Sequence, residues 1–173
     1  DVVEQAGAGV TRFHMLTRKN DAPLDFDFDK VLEQSKDNPV FYVQYAHARL
    51  ASALRKAAEL GIDVSDAALI GADLSRNTHE AELALAKKIA EWPRQVEIAA
   101  RANEPHRIAF FLYDIASDLH ALWHRGNDEP GLRFVQDGDA AATSAKIAQA
   151  RACAVVISAG LAILGVTPAE EMR

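Results

Sequence analysis

Apolar residues recur three and four positions apart over most of the chain, the period of helices that bury one face. Between Pro39 and Leu60 they are Val43, Ala46, Leu50, Leu54, Ala57 and Leu60; between Pro105 and Gly126 they are Ile108, Phe111, Leu112, Ile115, Leu119 and Leu122. The first run carries its own start and stop. Asn38 can cap it with Pro39 at the opening position, where a missing N–H costs nothing, and Gly61 supplies the left-handed turn that ends it. Asn77 with Glu80 predicts a capped helix to Trp92, and Pro93 opens another to about Ala102. Asp139 begins a last, alanine-rich helix to Leu164, stopped by Gly165 and Pro168. Residues 1–18 read as a helix loosened by Gly7 and Gly9. Leu24 to Asp29 alternates with the period of a strand but is short and aspartate-rich, so it reads as a connector, with Asp29 capping a helix to about Gln34. Residues 61–76 and 126–138 read as loops, and 169–173 as a tail. The expected fold is all-α, an antiparallel helical bundle over residues 37–173 after a short helical segment and connector over residues 1–36.

Composition narrows the class. The chain has 173 residues, enough for one compact domain, and its 49% hydrophobic and 25% charged content excludes a disordered chain. Nine Gly and six Pro are too few for a turn-rich barrel or sandwich. Cys153 stands alone, which excludes an internal disulfide and points to the reducing cytoplasm. No apolar stretch is expected to reach the ~18 residues of a membrane span, and no charged-then-apolar leader opens the chain. Asp1 stands where Met would begin a protein, at the head of what already reads as helix, so a piece of something longer is expected. The net charge of −6 opposes a nucleic-acid partner until it is resolved along the chain. Divided as 1–38, 39–60, 61–92, 93–125 and 126–173, the chain carries −3, +2, −3, 0 and −2, so only 39–60 of these is net positive.

That positive stretch has a second stripe. Tyr42, Tyr45, Arg49 and Lys56 share helical spacing roughly 130° round from the apolar face. Rings on which unstacked bases can lie, interleaved with cations that pair with phosphate, are what a single-stranded RNA platform needs. The same stripe also suits two tyrosines edging the core beside a solvated Arg49 and Lys56, and the pattern alone leaves both readings open. His47 falls nearer the apolar side, as a hydrogen-bonded structural histidine. On the Pro105–Gly126 helix, Trp123 lies at the margin of the apolar stripe, with Tyr113, His120 and His124 on a flanking face. His120 and His124 have helical ligand spacing but no Cys partner and no Glu after the first His, so no metal site is expected. Asp25, Asp27 and Asp29 alternate as calcium-loop acids do, without the Gly and the closing Glu of such a loop. There is no Gly-rich phosphate loop, Gly-x-Ser-x-Gly elbow, His-Glu-x-x-His or Glu-x-x-His pair. No catalytic residue and no cofactor site is therefore expected in this chain, and Cys153 reads as inert core.

A longer pattern is more specific. Thr11-Arg12-Phe13-His14-Met15-Leu16 is followed by Arg18-Lys19-Asn20-Asp21-Ala22-Pro23-Leu24-Asp25-Phe26-Asp27, and Glu33-Gln34-Ser35-Lys36-Asp37-Asn38-Pro39-Val40 leads into Tyr42-Val43-Gln44-Tyr45-Ala46-His47-Ala48-Arg49. This run resembles the C-terminal part of the arginyl-tRNA synthetases, which are class I aminoacyl-tRNA synthetases. Looser matches follow at Leu112-Tyr113-Asp114-Ile115-Ala116, Leu119-His120-Ala121-Leu122-Trp123, Gly160-Leu161-Ala162-Ile163-Leu164-Gly165-Val166 and Glu171-Met172. Order and spacing agree over nearly the whole chain, least at 61–105 and 126–146, and 126–138 reads as an insertion. The chain departs at Gly9-Val10-Thr11-Arg12, where relatives often carry Asp-Ala-x-Arg.

The resemblance implies an all-α domain that grips the anticodon arm of tRNA(Arg), within a ligase that attaches arginine using ATP in a catalytic domain upstream. It implies that Tyr42, Tyr45 and Arg49 face the anticodon loop, joined by Trp123 and Met172. Residues 1–36 would then follow the catalytic domain, with Arg12 to Lys19 near the inner stem, while Arg55, Lys56 and Arg151 hold phosphates. The implied partners are tRNA(Arg) and the enzyme's own catalytic domain, in a cytoplasmic monomer with no membrane contact. Two other readings remain open: the same domain from another class I synthetase or related tRNA-binding subunit, and a helical protein–protein module with Tyr42, Tyr45 and Trp123 as anchors.

Overall fold

The computed structural model describes residues 2–19, 31–33 and 37–172. The expected connector Leu24–Asp29, its cap and the helix to Gln34 lie largely outside these residues. Eight α-helices are described: α1 (Val2–Ala6), α2 (Ala8–Leu16), α3 (Pro39–Glu59), α4 (Asp66–Ile70), α5 (Glu80–Ala90), α6 (Trp92–Ala102), α7 (His106–Asp128) and α8 (Ala140–Ile163). Short 3₁₀ turns occupy Leu74–Arg76 and Pro130–Leu132, and no strand occurs among the described residues.

Local chemistry sets the boundaries. The Asn38 side chain accepts from the Val40 N–H and caps α3, Pro39 takes the first helical position, and Gly61 turns the chain away at φ 82°. Gly7 does more than loosen the first helix: its φ of 83° divides the segment into α1 and α2. The expected Asn77–Glu80 cap is replaced by one two residues on. His79 Nδ1 accepts from the Ala81 N–H, and Glu82 reaches back to the His79 N–H. Asn77 is instead buried, donating to Gln149 Oε1 at 2.9 Å and to the Ala145 carbonyl. The segment 61–76 is not all loop, because Ser65 caps the five-residue α4 through the Ala68 N–H. Five residues are too few for a periodic signal.

Three long helices form the centre. α8 packs along both α3 and α7, and α7 packs along α3. Contacts near the start of α3 meet the end of α8 (His47 with Ser158), and the start of α7 meets the end of α8 (Leu112 beside Gly160), so α8 runs antiparallel to both. α3 and α7 run in the same direction, Tyr42 beside Tyr113 and Arg49 beside Trp123, because α5 and α6 carry the chain back between them. This parallel pair places the two sequence-identified helices side by side. The core stripe of α7 is buried throughout, as are Val43, Ala46, Leu50 and Ala57 of α3; Leu54 is half-buried. Leu60, expected in that stripe, is 60% exposed, because it lies past the last turn and faces no neighbouring helix.

α8 corrects one expectation: it is long and apolar enough to cross a membrane by length and composition alone. One face of it is packed by the bundle, with Ile147, Ala150, Cys153, Ile157 and Leu161 fully buried, while Val155 and Ile163 are exposed. It also carries a buried polar layer. Lys146 pairs with Glu82 of α5, and Gln149 donates to the Glu82 carbonyl. Burial pushes the Cys153 thiol up to about 12, aided by the negative charge of Asp118.

Candidate nucleic-acid interface

α3 and α7 lie parallel with a groove opening between them toward the C-terminal tail. Tyr45, Arg49, Ser52 and Arg55 line it from α3, Trp123 from α7, and Glu171 and Met172 from the tail, around a volume of about 400 Å³. Four of the five sequence-identified residues are thus brought together. Tyr45 is 42% exposed, and Arg49, Trp123 and Met172 are half-buried.

Tyr42 does not line the groove. It sits one turn back with its ring 5.0 Å from Tyr113 and 4.5 Å from His120, so it supports the site from beneath. Its half-buried place is set by α7, whose Tyr113 and His120 rings pack against it.

The Arg49 guanidinium is the centre of the site. It lies 4.3 Å from the Tyr45 ring centroid and 5.2 Å from that of Trp123. Such contacts with ring faces hold a cation where water is partly excluded. Nη1 donates to Nδ1 of His120 at 2.9 Å. The opposite ring nitrogen, Nε2, donates to the Tyr42 carbonyl at 3.2 Å. A guanidinium cannot accept and a carbonyl cannot donate, so His120 is the Nε2–H tautomer and neutral. Burial pushes its pKa down to about 4; the charges of Arg49 and His124 act the same way, opposed by the Tyr42 carbonyl. Both ring nitrogens are committed, which leaves His120 no lone pair to share with His124 as a metal ligand. His120 also stacks beneath Tyr45, centroids 5.5 Å apart.

The tail reaches the groove because α3 holds it. The Gln44 amide donates to the Thr167 carbonyl at 2.8 Å and accepts from the Ala169 N–H at 2.6 Å. His47 Nδ1 donates to the Ala169 carbonyl at 2.8 Å while Nε2 accepts from the Ser158 hydroxyl, the structural role its position suggested. Arg55 donates to the Glu170 carbonyl and faces Glu171 at 3.8 Å. Met172 is therefore set beside Trp123 and Tyr45 by backbone clamps more than 120 residues distant in sequence. Gln44 escaped the sequence reading, and His120 was placed on the flanking face of its helix but not as the partner of Arg49; both fall in the quoted motifs, but their partners lie on other elements. Among the expected phosphate holders, Arg151 is already bound to Asp66 at 2.8 Å, whereas Lys56 is exposed and has no carboxylate partner among the described residues.

An all-helical bundle that offers rings and a positioned guanidinium in one open groove has the build of a domain that receives unstacked bases. The chain belongs to the DALR anticodon binding domain family, which it matches over residues 43–172. It is 76% identical over all 173 residues to an arginine–tRNA ligase of Paracoccus denitrificans, and 75% identical to that of Ruegeria pomeroyi. In both cases it spans 30% of the relative's length. The solved arginyl-tRNA synthetase of Thermus thermophilus superposes with a TM-score of 0.74 at 25% identity, over 97% of this chain and 27% of that one. A solved protein of Campylobacter jejuni shares the fold more closely, TM-score 0.85 over 99% of this chain and 35% of that one, at 23% identity.

Proposed function

We propose that this chain grips the anticodon loop of tRNA(Arg) as the C-terminal part of an arginine–tRNA ligase, a cytoplasmic enzyme that joins arginine to its tRNA at the expense of ATP. The chemistry would lie in residues outside this chain, which contributes recognition. Residues 37–173 act as the anticodon-binding domain, and residues 1–36 connect it to the catalytic part and approach the inner stem. The observation that carries this reading is the convergence of Tyr45, Arg49, Trp123 and Met172 on one groove.

A base entering the groove meets the ring of Tyr45 or Trp123 with its face and the free N–H groups of Arg49 with its edge. Each such stack contributes ~1–3 kcal/mol. Because His120 already takes one Arg49 donor, the remaining donors point in a fixed direction, so the site discriminates between bases by their acceptor pattern. Tyr42 acts indirectly, through its ring and its carbonyl under His120. Lys56, exposed on the same helix, suits a phosphate contact that fixes register, whereas Arg55 is turned to Glu170 and Glu171 of the tail.

The test is aminoacylation of tRNA(Arg) by the full-length enzyme carrying Tyr45→Ala or Arg49→Ala. Each is expected to lower kcat/KM for tRNA without altering the helical circular dichroism signal. Binding of tRNA should also weaken steeply with added salt. Unchanged charging by both variants overturns this groove as the base platform, and tRNA affinity indifferent to salt favours a protein–protein module.

A further inference from the structure

A second pocket lies on the other side of Trp123. α3 contributes Ser52 and Lys56, the end of α7 contributes Trp123 and Asn127, and the 126–138 connection closes it with Arg133 and Phe134 around a volume of about 230 Å³. Its base is aromatic, with Phe134 buried and its ring centroid 5.7 Å from that of Trp123. Its rim is made of donors. Lys56 is exposed without a carboxylate partner among the described residues, Asn127 is exposed, and no acidic residue lines the pocket although the chain as a whole carries −6. The polar groove that shares Leu132 with this pocket, around Arg76 and Lys146, is instead neutralised by Glu82, Glu129 and Asp139. The walls are held before any ligand arrives. Arg133 Nε donates to the Gly126 carbonyl at 2.9 Å, and the Gln136 amide ties the connection to the Pro130 and Arg133 carbonyls. Residue 126 packs directly against Arg133, whose backbone and side chain lie at van der Waals distance from it.

We propose that this pocket is a second nucleobase subsite, which takes a base next to the one held at Tyr45 and Arg49; this rests on the anticodon-loop reading above. Three features choose the occupant. Ser52 and Trp123 line both cavities, so the two are continuous around one indole. Arg49 and Lys56 are seven residues apart, ~10 Å along the helix, a span that adjacent splayed nucleotides cover. An apolar aromatic corner rimmed by an amide and a free ammonium fits a flat, uncharged heterocycle followed by a phosphate. The base lies against Trp123 and Phe134, Asn127 meets its edge, and Lys56 meets the phosphate beyond it. Trp123 then separates two bases instead of stacking on one.

The test uses full-length protein and a tRNA(Arg) transcript in which a single abasic site is walked through the anticodon loop, with binding measured for wild type, Tyr45→Ala and the double variant Lys56→Ala/Asn127→Ala. All three changes are at exposed side chains, and circular dichroism checks the fold. The double variant is expected to weaken binding of the intact loop about tenfold. It should also reduce the penalty of removing the base at one particular position, and Tyr45→Ala should do so at a neighbouring position. The proposal is overturned if Lys56→Ala/Asn127→Ala weakens intact and abasic loops by one common factor, or not at all, while Tyr45→Ala still couples to its own position. If Tyr45→Ala couples to no position either, the anticodon-loop reading itself has failed.

Discussion

Replacing His120 with Leu removes the acceptor that fixes Arg49 while keeping a buried side chain of related size. The Tyr42 carbonyl that His120 contacts belongs to the interior of α3, so it keeps its helical partner. The Arg49 guanidinium is only half-buried and still borders Tyr45 and Trp123, so it turns to water instead of being stranded. The loss therefore falls on positioning. A hydrogen bond to a charged group contributes ~1.5–3 kcal/mol, and partial rescue by water brings the expected cost in tRNA binding to about 1–2 kcal/mol, or roughly 5- to 30-fold in affinity. Filter binding of tRNA(Arg) by wild type, His120→Leu, Arg49→Ala and the double variant separates the causes. If His120 acts through Arg49, the double variant matches Arg49→Ala, and His120→Asn, whose amide oxygen can accept from Arg49, recovers much of the affinity. A His120→Leu loss that is undiminished in the Arg49→Ala background refutes this account.

Other predictions concern stability and reactivity. Because burial holds the folded pKa of His120 at about 4, below the ordinary imidazole value of 6.5, its contribution is complete above pH 6.5 and is lost as pH falls toward 4. Melting temperatures measured across that window should fall more steeply for wild type than for His120→Leu, and parallel curves would contradict the assignment. Lys146→Met leaves Glu82 buried without its partner and should cost about 3–5 kcal/mol in chemical denaturation; a loss under 1 kcal/mol would show that the pair is solvated. Gly160→Ala places a methyl 2.6 Å from Leu112 in the α7–α8 contact and should cost about 1–3 kcal/mol, read as a lowered melting temperature. Cys153 is fully buried with its thiol pushed up to about 12, so iodoacetamide at pH 8 should leave it unmodified until the protein unfolds.

The fold was legible where helices are long and capped. Asn38-Pro39, Gly61 and Asp139 mark boundaries by chemistry local to a few residues, and the structure uses all three. Short or shared signals were not. Asn77 has the residue type of a cap but is drawn into the core by Gln149, a partner 72 residues away, and the cap passes to His79. α8 shows why composition misleads for a central helix: α3, α4, α5, α7 and the Leu74–Arg76 turn pack on it, and what it exposes includes Val155 and Ile163, so no polar face gives a period. Within the site, the spacing of Tyr45 and Arg49 on one helix face was readable because both lie on α3. The support beneath them was not, since Arg49–His120 and Gln44–Thr167 join elements whose juxtaposition only packing decides. Tyr42 marks the limit of the helical wheel, which places a side chain by angle and cannot see Tyr113 arriving over it.

On the proposed function, the loop of tRNA(Arg) lies in the groove between α3, α7 and the tail. Irradiating the full-length enzyme with tRNA(Arg) bearing a photoreactive 4-thiopyrimidine in the anticodon, followed by peptide mass spectrometry, locates the contact directly. Adducts on Tyr45, Trp123 or Met172, suppressed by excess unlabelled tRNA(Arg), are predicted. Adducts confined to α5 and α6, with none on α3, α7 or the tail, would contradict the account.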